Sequence, residues 1–454
     1  MMVAFGMRRF LLAILLLLAL PLAASALEVR EVKTPKGVTV WFAEDHTVPI
    51  VAMNYAFAGG AAADPAGKEG LANFLSAMLD EGAGDMTSEQ FQERMEELAF
   101  SMDHSAGREW FSGSFRSLSR NLDESVKLLA LAVNRPRFDA QPLERIRRQL
   151  LVSLRKKAED PEERAWDAFR RMLYGKHPFA RAVDGDLRGI GAITADDLHA
   201  LHKRLFAREK LLVVVAGDID EKHMAQMVDT VFGDLPAKSG MPDIAPPVFP
   251  KQARMKIVRR VIPQSIVLMG ADSIRRDDAD FIPAYVVNHI LGGGGFGSRL
   301  MEEVREKRGL AYSVYSALIT HEKDGVFFAH AGTRNDKALL ARDIMLENIR
   351  RVAKEGVTAR ELEEAKDHLI GSWPLRFDST TKIAGMLLGL RLQHLGIDYL
   401  KKRNDLMRAV SLQDAKRAAR RMLHPERMQV VVYGNPPQPA AAKAAPAGEP
   451  AVAR

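Results

Sequence analysis

The stretch Gly70-Leu71-Ala72-Asn73-Phe74-Leu75-Ser76-Ala77-Met78 decides the fold. Leu71, Phe74, Leu75, Met78 and Leu79 fall at i, i+3, i+4, i+7 and i+8, the stripe of an amphipathic helix buried along one side. The spacing predicts a helix over 70–80. Asn73, Ser76 and Ala77 share its other side, with 73 and 77 one turn apart and 76 beside them. Just before it, Val48-Pro49-Ile50-Val51-Ala52-Met53 reads as a strand, and this strand, polar loop and apolar helix recur at Ile262 to Met269 and 281–291. Toward the other end of each half, Ile193 to Leu198 leads through a helix to the strand Leu211 to Gly217, and Val410 to Asp414 leads through a helix to Met428 to Gly434. The offset stays at about 215 residues throughout, so one fold is used twice. Thr194-x-x-Asp197 and Ser411-x-x-Asp414 read as capping boxes that open the last helix of each half. Helical segments over 87–100, 121–134, 140–158, 161–174 and 195–206 separate few strands, which predicts an α+β fold of two homologous domains, each a sheet covered by helices.

Met1 to Ala26 reads as a secretory signal peptide, with Arg8 and Arg9 before the apolar run Phe10 to Leu20 and Ala24-Ser25-Ala26 as the cleavage site. The expected location is therefore the bacterial periplasm, with retention of the leader as an anchor the alternative. No later stretch is long and uncharged enough to predict a membrane span in the mature chain. The net charge of +7 drops to +5 once Arg8 and Arg9 leave, and the charges are interspersed, which argues against a nucleic-acid stripe. With no cysteine there are no disulfides and no thiolate chemistry. The division expected is an N-terminal domain over 27–235, a proline-rich linker over 236–251, a C-terminal domain over 252–436 and a low-complexity tail over 437–454.

The side of the first helix that carries Asn73, Ser76 and Ala77 has the geometry with which an H-x-x-E-H helix offers two imidazoles to zinc and a carboxylate to the metal-bound water. On its flanks the passage resembles the pitrilysin/insulinase family of zinc metallopeptidases, whose version runs roughly Gly-Leu-Ala-His-x-Leu-Glu-His-Met. The resemblance implies paired α+β domains of the LuxS and processing-peptidase type enclosing a chamber. Asn73, Ser76 and Ala77 stand where that family has two ligands and a base, a degenerate metal motif. The family's third ligand, a Glu some seventy to eighty residues on, has no counterpart among Leu151, Val152 and Ser153, so no metal is expected in this chain. His199 and His202, three apart on a helix, and His177 in a turn read as structural.

In the second half, Gly292, Gly293, Gly294, Gly295 and Gly297 form the densest glycine run, which lets backbone approach a partner closely. It lacks the Lys-Ser/Thr of a phosphate loop and follows a helix rather than a strand. The segment Leu300 to Tyr315 then resembles the same family's C-terminal signature, in which an Arg and a Tyr seven apart reach the zinc chamber. Arg305 and Tyr312 match that pair. The resemblance implies that they act in trans, the guanidinium fixing a peptide carbonyl or carboxylate and the phenol donating to an oxyanion. It also implies that the glycine run binds peptide. Two-subunit members of the family divide labour in this way, one chain carrying zinc. The expectation is a non-metal subunit of a periplasmic heterodimeric peptidase, whose partner is a homologous zinc-bearing subunit and whose substrate is a peptide. The alternative is a catalytically inactive peptide-binding or scaffold protein of the cell envelope.

Overall fold

A computed structural model describes residues 28–438. The predicted signal peptide and all but the first two residues of the predicted tail lie outside the described residues. Strands β1 (Arg30–Lys33), β2 (Thr39–Glu44), β3 (Ile50–Ala58), β4 (Ser101–Ala106), β5 (Trp110–Leu118) and β6 (Leu212–Gly217) form one sheet in the order β1-β2-β6-β3-β5-β4. Strands β7 (Arg254–Arg259), β8 (Gln264–Asp272), β9 (Ala311–Thr320), β10 (Gly325–Arg334) and β11 (Gln429–Gly434) form the other, in the order β7-β11-β8-β10-β9. Without the edge strand β1 the two orders coincide. In each, one pair is parallel, β2 with β6 and β7 with β11, and the remaining pairs are antiparallel. The duplication is thus real in space: β3 and β8 start 214 residues apart, β6 and β11 start 217 apart.

The central strands bury both faces, and alternation sorts their side chains. Val51, Met53, Tyr55 and Phe57 of β3 enter the core of the first half. Ala52 and Ala56 face the other way, where the helix Thr380–Leu392 of the second half lies across β3 and β6 with Ile383, Ala384, Leu387 and Leu388. The exchange is reciprocal. The helix Pro161–Tyr174 of the first half packs Ala165, Phe169 and Leu173 on Ile266 and Leu268 of β8 and Val431 of β11. Gly270 in β8 makes room for it, since a Cβ there would stand 2.7 Å from Phe169 Cζ. Each sheet therefore depends on the opposite half for one of its covers.

The helices predicted from periodicity appear as Ser88–Glu97, Leu122–Asn134, Ala140–Glu159, Pro161–Tyr174 and Ala195–Leu205. Both capping boxes form: Thr194 Oγ1 and Ser411 Oγ accept from the N–H groups of Asp197 and Asp414, whose carboxylates take the Thr194 and Ser411 N–H groups in return. Two helices depart from expectation. The one predicted over 70–80 is regular only from Leu71 to Ser76, although its whole stripe is buried. Ser76 Oγ donates to the Asn73 carbonyl, the Ala77 N–H is shared between Asn73 and Phe74, and the Met78 N–H turns to Leu75, so the last turn tightens and unwinds. The one predicted over 281–291 ends as an α-helix at Asn288 and continues as a π-helix over His289–Gly293. Residues 236–250 carry no regular element, but Ile244 and Phe249 pack into the core between the halves and the Gly240 N–H donates to Arg204 O, which holds the linker down.

Candidate functional site

The helix Leu71–Ser76 is fastened at its start by Asp64, whose Oδ2 accepts the Gly70 N–H at 2.8 Å and whose Oδ1 accepts the Ala72 N–H at 3.0 Å. Burial pushes this carboxyl up to about 7, against the pull of the Ala72 and Gly70 amides. Gly70 takes φ +95, and a Cβ on it would meet the Asp184 carbonyl at 2.7 Å, so the entry to the helix admits no side chain. Beyond it, Asn73 and Ala77 are half-buried and Ser76 is buried. Ala77 packs on the first core beside Leu151, from the helix Ala140–Glu159, while Val152 points to solvent. An amide, a hydroxyl, a methyl and two aliphatic side chains do not fit the zinc that the family's geometry implies. Among the described residues, no group of three or more His, Cys, Asp or Glu is placed to hold a metal ion.

The second half builds a different site. Its glycine run is folded tightly rather than looped. Gly292 lies against β9, where a Cβ would stand 2.5 Å from Ser316 Oγ and 2.6 Å from Ser316 N, and the adjacent Asn288 accepts a 2.9 Å hydrogen bond from that hydroxyl. Cβ atoms on Gly293 and Gly294 would press on Asn288 and His289. Gly295, at φ +63, and Gly297 have open space where a side chain would be. After the run, Arg299 grips Glu361 by both ends of its fork, at 2.6 and 2.7 Å. Burial would raise that carboxyl, but the Arg299 fork and the Thr358 N–H hold it down at about 2.

A second π-helix, Met301–Glu306, presents Arg305. Gly309, at φ +58, turns the chain into β9 with its N–H on Arg305 O, which fixes the approach to Tyr312. Tyr312 sits in a β-bulge: Thr333 of β10 pairs with Ala311 and Gly332 with Ser313, leaving one residue over. In an unbroken strand Tyr312 would share the core-facing side of Val314 and Ser316, both buried; the bulge re-aims it, and it is 81% exposed. Arg305 Cζ lies 4.7 Å from the centroid of Tyr312 and 4.7 Å from that of Phe296, itself 70% exposed. Two rings thus brace one guanidinium. Its Nε approaches Glu306 at 3.4 Å, and among the described residues no other acid pairs with it, so in-plane donors remain for a ligand. The structure places Arg305 and Tyr312 side by side. Phe296 is missed by sequence reasoning, its only signal being a lone aromatic inside a glycine run.

Of the histidines singled out, His202 and His177 are structural, and His199 is exposed beside the Phe138 ring. His202 bonds the Val133 carbonyl at 2.8 Å and stacks on Phe206, and burial lowers its pKa. His177 accepts the Phe179 N–H and contacts the linker carbonyl of Ala245 at 2.8 Å.

Residues 39–186 match the family model described as insulinase (peptidase family M16), and residues 192–369 match the one described as the peptidase M16 inactive domain. The non-peptidase homolog YmxG of Helicobacter pylori is 30% identical over 82% of this chain and 85% of its own length. The uncharacterized zinc protease Rv2782c of Mycobacterium tuberculosis is 27% identical over 84% of this chain and 86% of its own. Among solved structures, a peptidase M16 inactive domain from Pseudomonas fluorescens superposes with a TM-score of 0.85 at 30% identity, covering 90% of this chain and 98% of that one. A Helicobacter pylori protease gives 0.80 at 18% identity, a likeness of fold. The chain belongs to peptidase family M16, and with Asn73, Ser76 and Ala77 in place of metal ligands and base it is an inactive member.

Proposed function

We propose that this chain is the non-metal subunit of a periplasmic heterodimeric zinc peptidase and lends Arg305 and Tyr312 to the active site of a homologous, zinc-bearing partner. The observation that carries the reading is the contrast within one chain. The metal positions are filled by groups that bind no zinc, whereas a bulge and a π-helix hold Tyr312 out in solvent beside a braced, part-buried Arg305. Irregular backbone of this kind persists where surrounding packing over-determines it, and such strain concentrates at functional sites.

In this reading the partner's zinc supplies the activated water. Arg305 takes a substrate carbonyl or carboxylate through its free donors, and the Tyr312 hydroxyl donates to the carbonyl oxygen as it gains charge. Gly295 and Gly297, open at their Cβ positions, give an extended peptide room to approach, while Gly292, Gly293 and Gly294 keep the turn in shape. Tyr312→Phe in a reconstituted pair is expected to lower turnover by roughly 10²- to 10³-fold, the effect of removing one oxyanion donor. Arg305→Ala is expected to lower it comparably. Full activity with Tyr312→Phe removes the phenol from the mechanism. Isolation of the tagged protein tests the assembly: a stoichiometric companion with H-x-x-E-H and about one zinc per pair supports it. A metal-free chain recovered alone favours the inactive peptide-binding or scaffold reading.

A further inference from the structure

Between the two halves lies a cavity of about 680 Å³, within the size range of small-molecule sites and in the place between domains where such sites concentrate. The hairpin turn Gly107–Trp110 and the helix Pro161–Tyr174 wall it from the first half. The ends of β9 and of the helix Thr380–Leu392 wall it from the second. Trp110, Trp166, Phe169, Leu173, Ile319 and Val326 give it an apolar lining.

Three guanidiniums open into this lining with donors unspent. Arg108 is half-buried and makes no ion pair or side-chain hydrogen bond among the described residues; burial, and then Arg170 beside it, lower its pKa. Arg170 donates one Nη to Asp167, but its Nε is buried without an acceptor. Arg276 has only the neutral Gln393 amide oxygen, at 2.7 Å, and the rings of Phe281 and Tyr399. The acids at the rim are engaged instead. Asp277 is held by Arg275, Glu322 faces His394 at 3.7 Å, and Glu109 accepts the Glu322 N–H at 2.9 Å. Two arginines close enough to repel stand here in a place partly withdrawn from water, offset in part by Glu109 and by the buried Asp324 on His321, and Arg108 keeps its whole fork free.

We propose that this cavity is a binding site for the carboxylate of an apolar molecule, the Arg108 fork taking the carboxylate oxygens with the Arg170 charge beside it, and the tryptophan and phenylalanine walls taking the apolar body. The planar fork of arginine suits two carboxylate oxygens, and the aromatic walls suit a phenyl or branched aliphatic group. A peptide ending in such a residue and a free aryl or fatty acid share this chemistry. The site lies within one chain and does not depend on a zinc-bearing partner.

The test uses the purified full-length mature protein and follows the fluorescence of tryptophan, of which the chain has four and the cavity wall two, with calorimetry alongside. The probes are a hexapeptide ending in Phe with a free carboxylate, the same peptide amidated, and 3-phenylpropionate. The free acid is expected to bind at least about tenfold tighter than the amide, the size of one lost charge-assisted hydrogen bond. Arg108→Gln, which breaks no side-chain hydrogen bond or ion pair among the described residues, is expected to abolish the difference, and Arg108→Lys to restore part of it. Arg305→Ala is expected to leave it untouched, which separates this site from the Arg/Tyr pair. Tighter binding of the peptide than of 3-phenylpropionate assigns the site to peptide ends; equal or tighter binding of the small acid assigns it to free acids. Equal affinity for acid and amide, or an unchanged preference in Arg108→Gln, overturns the proposal.

Discussion

After β3 the chain runs through a turn into a helix that stops at Ser76; after β8, at the equivalent place, it enters a helix that carries on past Asn288 as two π-helical stretches with glycines between them. The two segments descend from one pattern and are embedded in sheets of the same order. In the first, a buried acid clamps the entry and Asn73, Ser76 and Ala77 on the polar side offer no imidazole, thiolate or carboxylate to zinc. In the second, Gly292 seats the turn on β9, Arg299 ties it to Glu361, and the bulge swings Tyr312 out into solvent beside Arg305. A duplicated fold can thus keep its packing in both copies while only one sets an arginine against an exposed tyrosine.

That comparison breaks most readily where the halves meet. Phe169→Ala, which empties the fit of the first half's helix against the second sheet, is expected to cost about 3–5 kcal/mol, and Leu387→Ala, its reciprocal, about 2–5 kcal/mol. Denaturant unfolding followed by separate probes in each half checks this. A single shifted transition supports interdependent halves, and two separated transitions would show that each sheet stands without its borrowed helix. Next comes Gly292→Ala, expected to cost about 1–3 kcal/mol because the Cβ runs into the backbone of β9. Thermal melting reads the loss, and an unchanged Tm would mean that the turn gives way freely.

The Asp64 clamp makes a pH prediction. Its folded-state pKa of about 7 lies above the unfolded value of about 3.9. Between these values the folded chain holds a proton that the unfolded chain has lost, so this group's contribution to stability is full below about pH 4 and is lost as pH rises through about 7. The wild type should accordingly lose stability relative to Asp64→Asn across that window; parallel curves would mean the carboxyl stays ionised under the Gly70 and Ala72 amides. The smallest effect belongs to Asn73→Ala, expected within about 0.5 kcal/mol in stability and without consequence for the turnover of a reconstituted pair. A strong loss of activity there would return chemistry to the first half.

Much of this architecture was legible in the sequence because it rests on local patterns. Period 3.6 placed the helices Leu122–Asn134 and Pro161–Tyr174 almost to the residue, and the capping boxes at Thr194 and Ser411 fixed two helix starts. The resemblance of Leu300 to Tyr315 to the family's C-terminal signature singled out Arg305 and Tyr312. What periodicity could not carry was where it fails: a bulge adds one residue to an alternation, and a π-helix stretches a 3.6 pattern, so neither Tyr312's outward turn nor the brace from Phe296 follows from counting. The stripe Ala165, Phe169 and Leu173 announced a buried face, but only the packed chain shows that it belongs to the other half's sheet.

The borrowed helices also set an order in time. The inner face of the first sheet is complete once Gly217 has been made, yet its cover ends at Leu392, 175 residues later. Through that interval Trp41, Ala52, Ala56 and Val214 have no helix over them. A chain delivered from its N-terminus therefore presents this sheet face uncapped, and the arrival of Thr380–Leu392 ends that exposure.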